Sequence, residues 1–224
     1  MVNLVEMNIR IKNDSDFVDI CRSFEDGSMA EKKVLMEDLV AIINNSVASN
    51  SYVPIGSLPY GYYNGLINPF DSSTFKAALI MPAEKRILTY YNEEHLVPFP
   101  DLLFLFTAER GIMTKSRVFS IVNKKNQRLV ANYPYGNVHE NGSICWGANG
   151  LPKISSMKGV EQILSLFFGS PTNDDLYEAG KSVIKKKEFL NQRGLILKAE
   201  EEQEFPEKWL KLTGCTLDKM MESL

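Results

Sequence analysis

The sequence predicts an α+β fold: an antiparallel meander of strands, followed by helices that cover one side or end of the sheet. Three observations carry this reading. Between residues 74 and 133, β-rich runs are joined by connections of only a few residues, whereas parallel strands need long crossovers. One run, "DLLFLFTA" at 101–108, is short and continuously apolar, which fits a central strand buried on both faces. Beyond residue 155 the apolar spacing becomes helical, and strands followed by helices is the α+β order.

Taken in chain order, "NLVEMNIRIK" (3–12) alternates loosely and predicts a strand. Residues 26–47 read as a helix, with Ser28 as N-cap and Val34, Leu35, Leu39, Ile42 and Ile43 at helical spacing. The stretch from 48 to 73 is rich in Gly, Pro, Asn and Tyr, and Pro54, Pro59 and Pro69 argue against long regular elements there. It reads as an ordered, aromatic-packed loop. "TFKAALIM", "PAEK" and "RILTYYN" then predict a hairpin. "SRVFSIVN" (116–123) and "RLVANY" (128–133) predict two further strands about a "KKNQ" turn. "SMKGVEQILSLFFGS" predicts a helix with Val160, Ile163, Leu164 and Phe167 on one face. A second helix is expected over about 173–192, opened by Thr172 and Asp175 and stopped by Gly194. A last one follows from about 205, broken near Gly214. Residues 1–50 are expected to form a strand–helix extension packed on the core, and 51–224 the main domain.

The bulk numbers narrow the function. A chain of 224 residues buries a full core without staples. A net charge of -3 offers no basic face for nucleic acid. No apolar run is long enough to span a bilayer, and the first residues lack a basic start followed by an apolar run. Three widely spaced cysteines, Cys21, Cys145 and Cys215, suggest neither a zinc site nor a disulfide framework. A reducing cytoplasm is the expected setting. No cofactor and no metal is expected.

The informative stretch is "YPYGNVHENGSICWG" (133–147), a turn-rich segment ending in one of the three cysteines. Its "NVHENGSIC" part resembles the active-site segment of ubiquitin-conjugating enzymes. That segment runs His-Pro-Asn, an aliphatic residue, a few loop residues, Gly, any residue, Ile or Val, then Cys. Asn137, Val138, Gly142, Ile144 and Cys145 fall at the matching positions without a gap. Tyr135-Gly136 replaces the His-Pro pair, and Trp146 stands where a Leu is usual. A closer likeness is to the prokaryotic branch of PRTRC-type cassettes, the protein B family. There a "P-x-P-x-L-x-F" strand precedes an "N-V-x-x-x-G-x-V-C-x-G" loop, and this chain offers "VPFPDLLFLF" and "NVHENGSICWG". The likeness covers roughly residues 50–190.

The resemblance implies a UBC-like fold and a bacterial ubiquitin-conjugating enzyme-like protein. Cys145 would carry a ubiquitin-like modifier as a thioester and pass it to an amine. Asn137 takes the role of oxyanion donor, and Asp175 the position of an acidic gate beside the cysteine. The implied partners are a ThiF-like activating enzyme, a small ubiquitin-like modifier protein and a JAB-type, metal-dependent isopeptidase from the same operon.

The chemistry is intelligible from the residues. The thiolate is the nucleophile, and a free thiol with pKa about 8.5 is only a few per cent ionised at neutral pH. No Lys or Arg adjoins Cys145, and His139 is the one base close in sequence. Transfer then rests on oxyanion stabilisation and on positioning of the amine. Each residue also has a plainer reading. A Cys between Ile and Trp is commonly a packing residue, Asn137 and Gly142 make turns, His139 is a solvated loop residue, and Asp174 and Asp175 favour a helix N-terminus. Two other functions compete: a non-catalytic UBC-fold scaffold of a ThiF-like activating complex, and a cysteine hydrolase using Cys145 and His139.

Overall fold

A computed structural model describes residues 3–13, 15–48, 56–124, 127–222 and 224. The chain divides into two units, Met1–Pro54 and Ile55–Leu224. The first holds a three-stranded antiparallel sheet in the order β1 (Leu4–Ile11), β2 (Phe17–Phe24), β3 (Met29–Leu35), followed by α1 (Met36–Ala48). The helix expected over 26–47 is therefore only its second half. Ser28 is a hairpin residue rather than an N-cap: its N–H donates to Asp26 Oδ1 at 2.9 Å, beside Gly27 at φ +77°. Asp-Gly is a strong hairpin signal. Met29–Leu35 has helix-forming residues, but pairing with β2 along its whole length overrides that weak local preference. Leu39 packs with Val18 and Ile20, whereas Ile42 and Ile43 are exposed.

The second unit is built on a six-stranded antiparallel sheet. Its strands are β4 (Tyr62–Asn68), β5 (Asp71–Met81), β8 (Leu102–Glu109), β9 (Ile112–Lys124), β10 (Gln127–Ala131) and β11 (Leu212–Thr216), in the order β11-β10-β9-β8-β5-β4. Between β5 and β8 in sequence, β6 (Glu84–Tyr90) and β7 (Glu93–Phe99) form a separate hairpin. The expected "TFKAALIM"/"RILTYYN" hairpin is thus replaced by β5–β8 and β6–β7 pairings. Burial explains the exchange. Ala77, Ala78 and Leu79 of β5 are buried on both faces and need a neighbour that is also buried on both. β8 supplies it, with Leu79 opposite Phe104 and Ala78 opposite Leu105. The prolines do not prevent β4, because Pro59 and Pro69 flank it rather than interrupt it. Pro54 lies outside the described residues.

β8 is the central strand the apolar run predicts. Phe104 and Phe106 point into one core with α2 (Val160–Gly169), which turns Val160, Ile163, Leu164 and Phe167 inward. Leu103 and Leu105 point into a second core closed by Leu217 and Met220 of α4 (Leu217–Glu222). Full burial of one such side chain stabilises the fold by about 1.5–3 kcal/mol. Helices therefore reach both faces of the sheet, not one side alone.

The helix expected over 173–192 is absent. That segment is a series of turns ending in a 3-10 turn, Lys187–Phe189, and the helix comes later as α3 (Gln192–Glu200). Asn191 caps it by accepting from Gly194 N–H at 2.8 Å, so Gly194 lies in the first turn and does not stop a helix. From Glu207 to Glu222 the chain forms a 3-10 turn, β11 and α4 rather than one broken helix.

The core has a testable pH signature. Burial, then the hydrogen bond to Asp174, pushes the Tyr90 hydroxyl up to about 12. Burial also raises Tyr133, Tyr135 and Tyr177. Unfolded tyrosine ionises near about pH 10, so the unfolded state loses protons first. This stabilisation is fully present below about pH 10 and is lost as pH rises through the folded values. The slope is about 1.4 kcal/mol per pH unit for each tyrosine. Tyrosinate absorbance followed against chemical-denaturation stability checks it. These four residues should ionise only together with unfolding, and early, independent ionisation of all nine tyrosines would contradict it.

Candidate active site

After β10 the chain runs through Tyr133, Pro134, Tyr135 and Gly136, all buried. Tyr135 donates its hydroxyl to the Pro98 carbonyl at 2.9 Å. Gly136 is wedged against other segments: a Cβ there would sit 2.3 Å from Thr172 Oγ1 and 2.6 Å from the Asn173 carbonyl. The two residues that replace His-Pro are thus packing residues, one filling the core and one permitting close backbone approach.

Asn137 follows with φ +64°, a left-handed conformation that Asn tolerates better than most residues. Its main-chain carbonyl accepts the Cys145 N–H at 2.8 Å. Val138 bridges Ile144, and the turn closes through His139 N–H to Ser143 O (2.9 Å) and Gly142 N–H to His139 O (2.8 Å). Arg117 holds the tip by donating Nε and Nη2 to the Asn141 carbonyl at 3.0 and 2.8 Å. Main-chain bonds Ile144 N–H to Ser116 O and Val118 N–H to Gly142 O dock the turn on β9. The loop is therefore a supported platform, although it contains no regular element.

Within it Ile144 is buried, and Trp146 packs edge-on against Phe167 while its indole N–H donates to Ser116 Oγ at 2.9 Å. Cys145 sits between these two anchored residues. It is exposed, while Cys21 and Cys215 are half-buried. On native protein a thiol reagent should label Cys145 fastest, and slower labelling there than at the other two would contradict this placement.

Gly142 cannot be exchanged. Its φ is +83°, and a Cβ would stand 2.3 Å from the Phe119 ring. Left-handed strain and overpacking together should make Gly142→Ala cost about 2–4 kcal/mol. Chemical denaturation checks this; a loss under about 0.5 kcal/mol would mean that the loop yields freely.

The site also draws on a distant segment. Asn137 donates its side-chain amide to the Pro171 carbonyl at 2.7 Å. The 171–175 segment is itself clamped on β6: Thr172 N–H donates to Thr89 O, and Tyr91 N–H to Thr172 O, both at 2.8 Å. Asp174 accepts from the Tyr90 hydroxyl at 2.7 Å and from Gln192 N–H, the start of α3, at 3.0 Å. Asp174 is thus a structural clamp, and neither it nor Asp175 opens a helix. Asp175 is exposed, with its N–H held by Asn173 Oδ1 at 3.0 Å. It lines a cavity of about 250 Å³ together with Val138, His139, Glu140 and Lys181. Lys181 pairs with Glu178 at 2.8 Å and with Glu140 at 3.7 Å, and the Glu178 carboxylate raises its pKa.

Cys145 and Asn137 are therefore brought together through the main chain, and Asp175 reaches the neighbouring part of the same loop. Cys145 does not line the cavity that His139 and Asp175 share. No hydrogen bond joins His139 to Cys145 among the described residues, which leaves the hydrolase reading without a nucleophile–base pair. Sequence reasoning missed the Pro171 carbonyl and the Tyr90–Asp174 clamp. Both link positions tens of residues apart and carry no local pattern.

The family model described as Prokaryotic E2 family D matches residues 72–213. The chain belongs to that family. The matched span holds most of the six-stranded sheet, the β6–β7 hairpin, the Cys145 loop, α2 and α3. No curated protein and no solved structure matches the chain. This prokaryotic E2-like protein is a conjugating-enzyme-like chain, and its family implies dealings in general with a ubiquitin-like modifier and an activating enzyme. Among its described residues no helix is long and apolar enough to cross a membrane.

Proposed function

We propose that Cys145 is a thioester carrier for a ubiquitin-like modifier and passes it to an amine. The observation that carries this reading is an exposed cysteine, main-chain-paired with Asn137, on a buttressed loop of an E2-family chain. In loading, the Cys145 thiolate attacks the modifier's carbonyl carbon in its thioester with a ThiF-like activating enzyme. A new C–S bond forms, the old one breaks, and the activating enzyme's sulfur leaves as thiolate. In transfer, an amine nitrogen attacks the same carbonyl, the C–N bond forms, Cys145 leaves as thiolate and the nitrogen sheds a proton.

Asn137 is the donor for the oxyanion that forms in the transfer step. Its amide carries two hydrogens. One is held by the Pro171 carbonyl, which fixes the amide's direction, and the other has no acceptor among the described residues. Asp175 is the acidic group proposed to help guide the incoming amine, acting from the cavity beside the loop. A JAB-type isopeptidase from the same operon is the enzyme proposed to reverse the product.

The test is reconstitution with a ThiF-like activating enzyme and a ubiquitin-like protein from the same genome, plus ATP. The expected product is a reductant-sensitive adduct mapped to the Cys145 peptide. Absence of any adduct, with the activating enzyme shown to charge the modifier, would overturn the reading in favour of a non-catalytic scaffold.

A further inference from the structure

Among the described residues the N-terminal sheet leaves one edge and part of one face without a partner. Among the described residues β1 pairs only with β2. The register sets Met7 opposite Arg22, Ile9 opposite Ile20 and Ile11 opposite Val18, so Met7, Ile9 and Ile11 of β1 share the face that meets α1. Yet α1 packs on β2 and β3. Val5, Met7, Ile9 and Ile11 remain 65%, 51%, 45% and 58% exposed. Edge strands normally carry charges, a proline or a bulge that blocks pairing with another chain. The other edge, β3, has such protection in Glu31, Lys32 and Lys33. β1 has a register shift between Leu4 and Glu6, but from Glu6 to Ile11 its register is unbroken, with apolar Met7, Ile9 and Ile11 alternating with Glu6, Asn8 and Arg10. Neither Glu6 nor Arg10 makes an ion pair among the described residues.

We propose that β1 pairs antiparallel with β1 of a second copy, about a twofold axis through Asn8. That register is self-complementary. Glu6 faces Arg10 of the second copy, and the same pair recurs across the axis, as an isologous contact requires. On the other face Met7 of each copy meets Ile9 of the other. Moving the axis to Met7 or Ile9 breaks both Glu6–Arg10 pairs. The two three-stranded sheets become one six-stranded sheet with both α1 helices on one face. Six apolar side chains, Met7, Ile9 and Ile11 of each copy, gather in a central strip, and the free main-chain groups of the paired β1 edges are satisfied.

Sedimentation of the full chain over a concentration series tests this without reference to activity. The parent chain should form a reversible dimer. Glu6→Arg alone, or Arg10→Glu alone, sets like charges opposite each other twice and should raise the dissociation constant on the order of tenfold. Mixing the two single variants should restore tight pairing as a heterodimer, because every facing pair is again of opposite sign. The double variant should dimerise like the parent. Far-UV circular dichroism matching the parent separates lost pairing from lost folding. A monomeric parent at every concentration, a dimer indifferent to both substitutions, or single variants that pair no better mixed than apart would each overturn the proposal.

Discussion

Cys145→Ser abolishes the reductant-sensitive adduct and leaves, at most, a slowly formed oxyester that survives thiol treatment. Serine keeps the shape and a nucleophilic atom, but its hydroxyl ionises far less readily than a thiol. Loading should slow by about 10³-fold or more. Stability should stay within about 0.5 kcal/mol of the parent, because Cys145 is exposed and its neighbours Ile144 and Trp146 hold the loop. Two measurements decide it: adduct formation with the activating enzyme and modifier, and the thermal midpoint. A reducible adduct on the variant would move the carrier role to Cys21 or Cys215. Normal loading with a large fall in midpoint would make Cys145 a packing residue.

Asn137→Gly should slow amine transfer by about 10²–10³-fold while loading falls no more than about threefold, since removal of one oxyanion donor carries that magnitude. Gly is the cleaner probe for a structural reason. At φ +64° an alanine adds left-handed strain of about 1–2 kcal/mol to the lost Pro171 bond, so Asn137→Ala mixes folding with chemistry. Glycine adopts that conformation freely, so beyond the Pro171 bond that both variants lose it adds no left-handed strain, only about 0.5–1 kcal/mol of backbone entropy. Single-turnover discharge of the charged protein onto free lysine gives transfer, and adduct formation gives loading. Equal losses in both steps would assign Asn137 a purely structural role through Pro171.

The parts of this protein legible in its sequence are those whose signal is local. The apolar run at 101–108 announced a strand buried on both faces, and β8 is that strand. The helical spacing of Val160, Ile163, Leu164 and Phe167 announced α2. The offsets among Asn137, Gly142 and Cys145 announced a turn ending in a cysteine, because a tight loop needs its left-handed positions at set places. Gly142 at φ +83° and Asn137 at φ +64° are those positions.

What only the tertiary structure decided are choices between partners. Met29–Leu35 carries helix formers but pairs with β2, and β5 leaves the adjacent β6 for the doubly buried β8. Residues 173–191 carry a helix-like start yet fold as turns, because Asp174 is committed to Tyr90 and to the first turn of α3. At the site, the resemblance to conjugating enzymes pointed to Cys145, Asn137 and Asp175. It was the Pro171 carbonyl, 34 residues from Asn137, that fixed where the amide points, and the closed loop that left Cys145 exposed between the anchored Ile144 and Trp146. The reason is physical. Local patterns report which face of a segment is apolar and which backbone angles it tolerates. Which distant group satisfies a given donor is settled only when the whole chain has closed around its core.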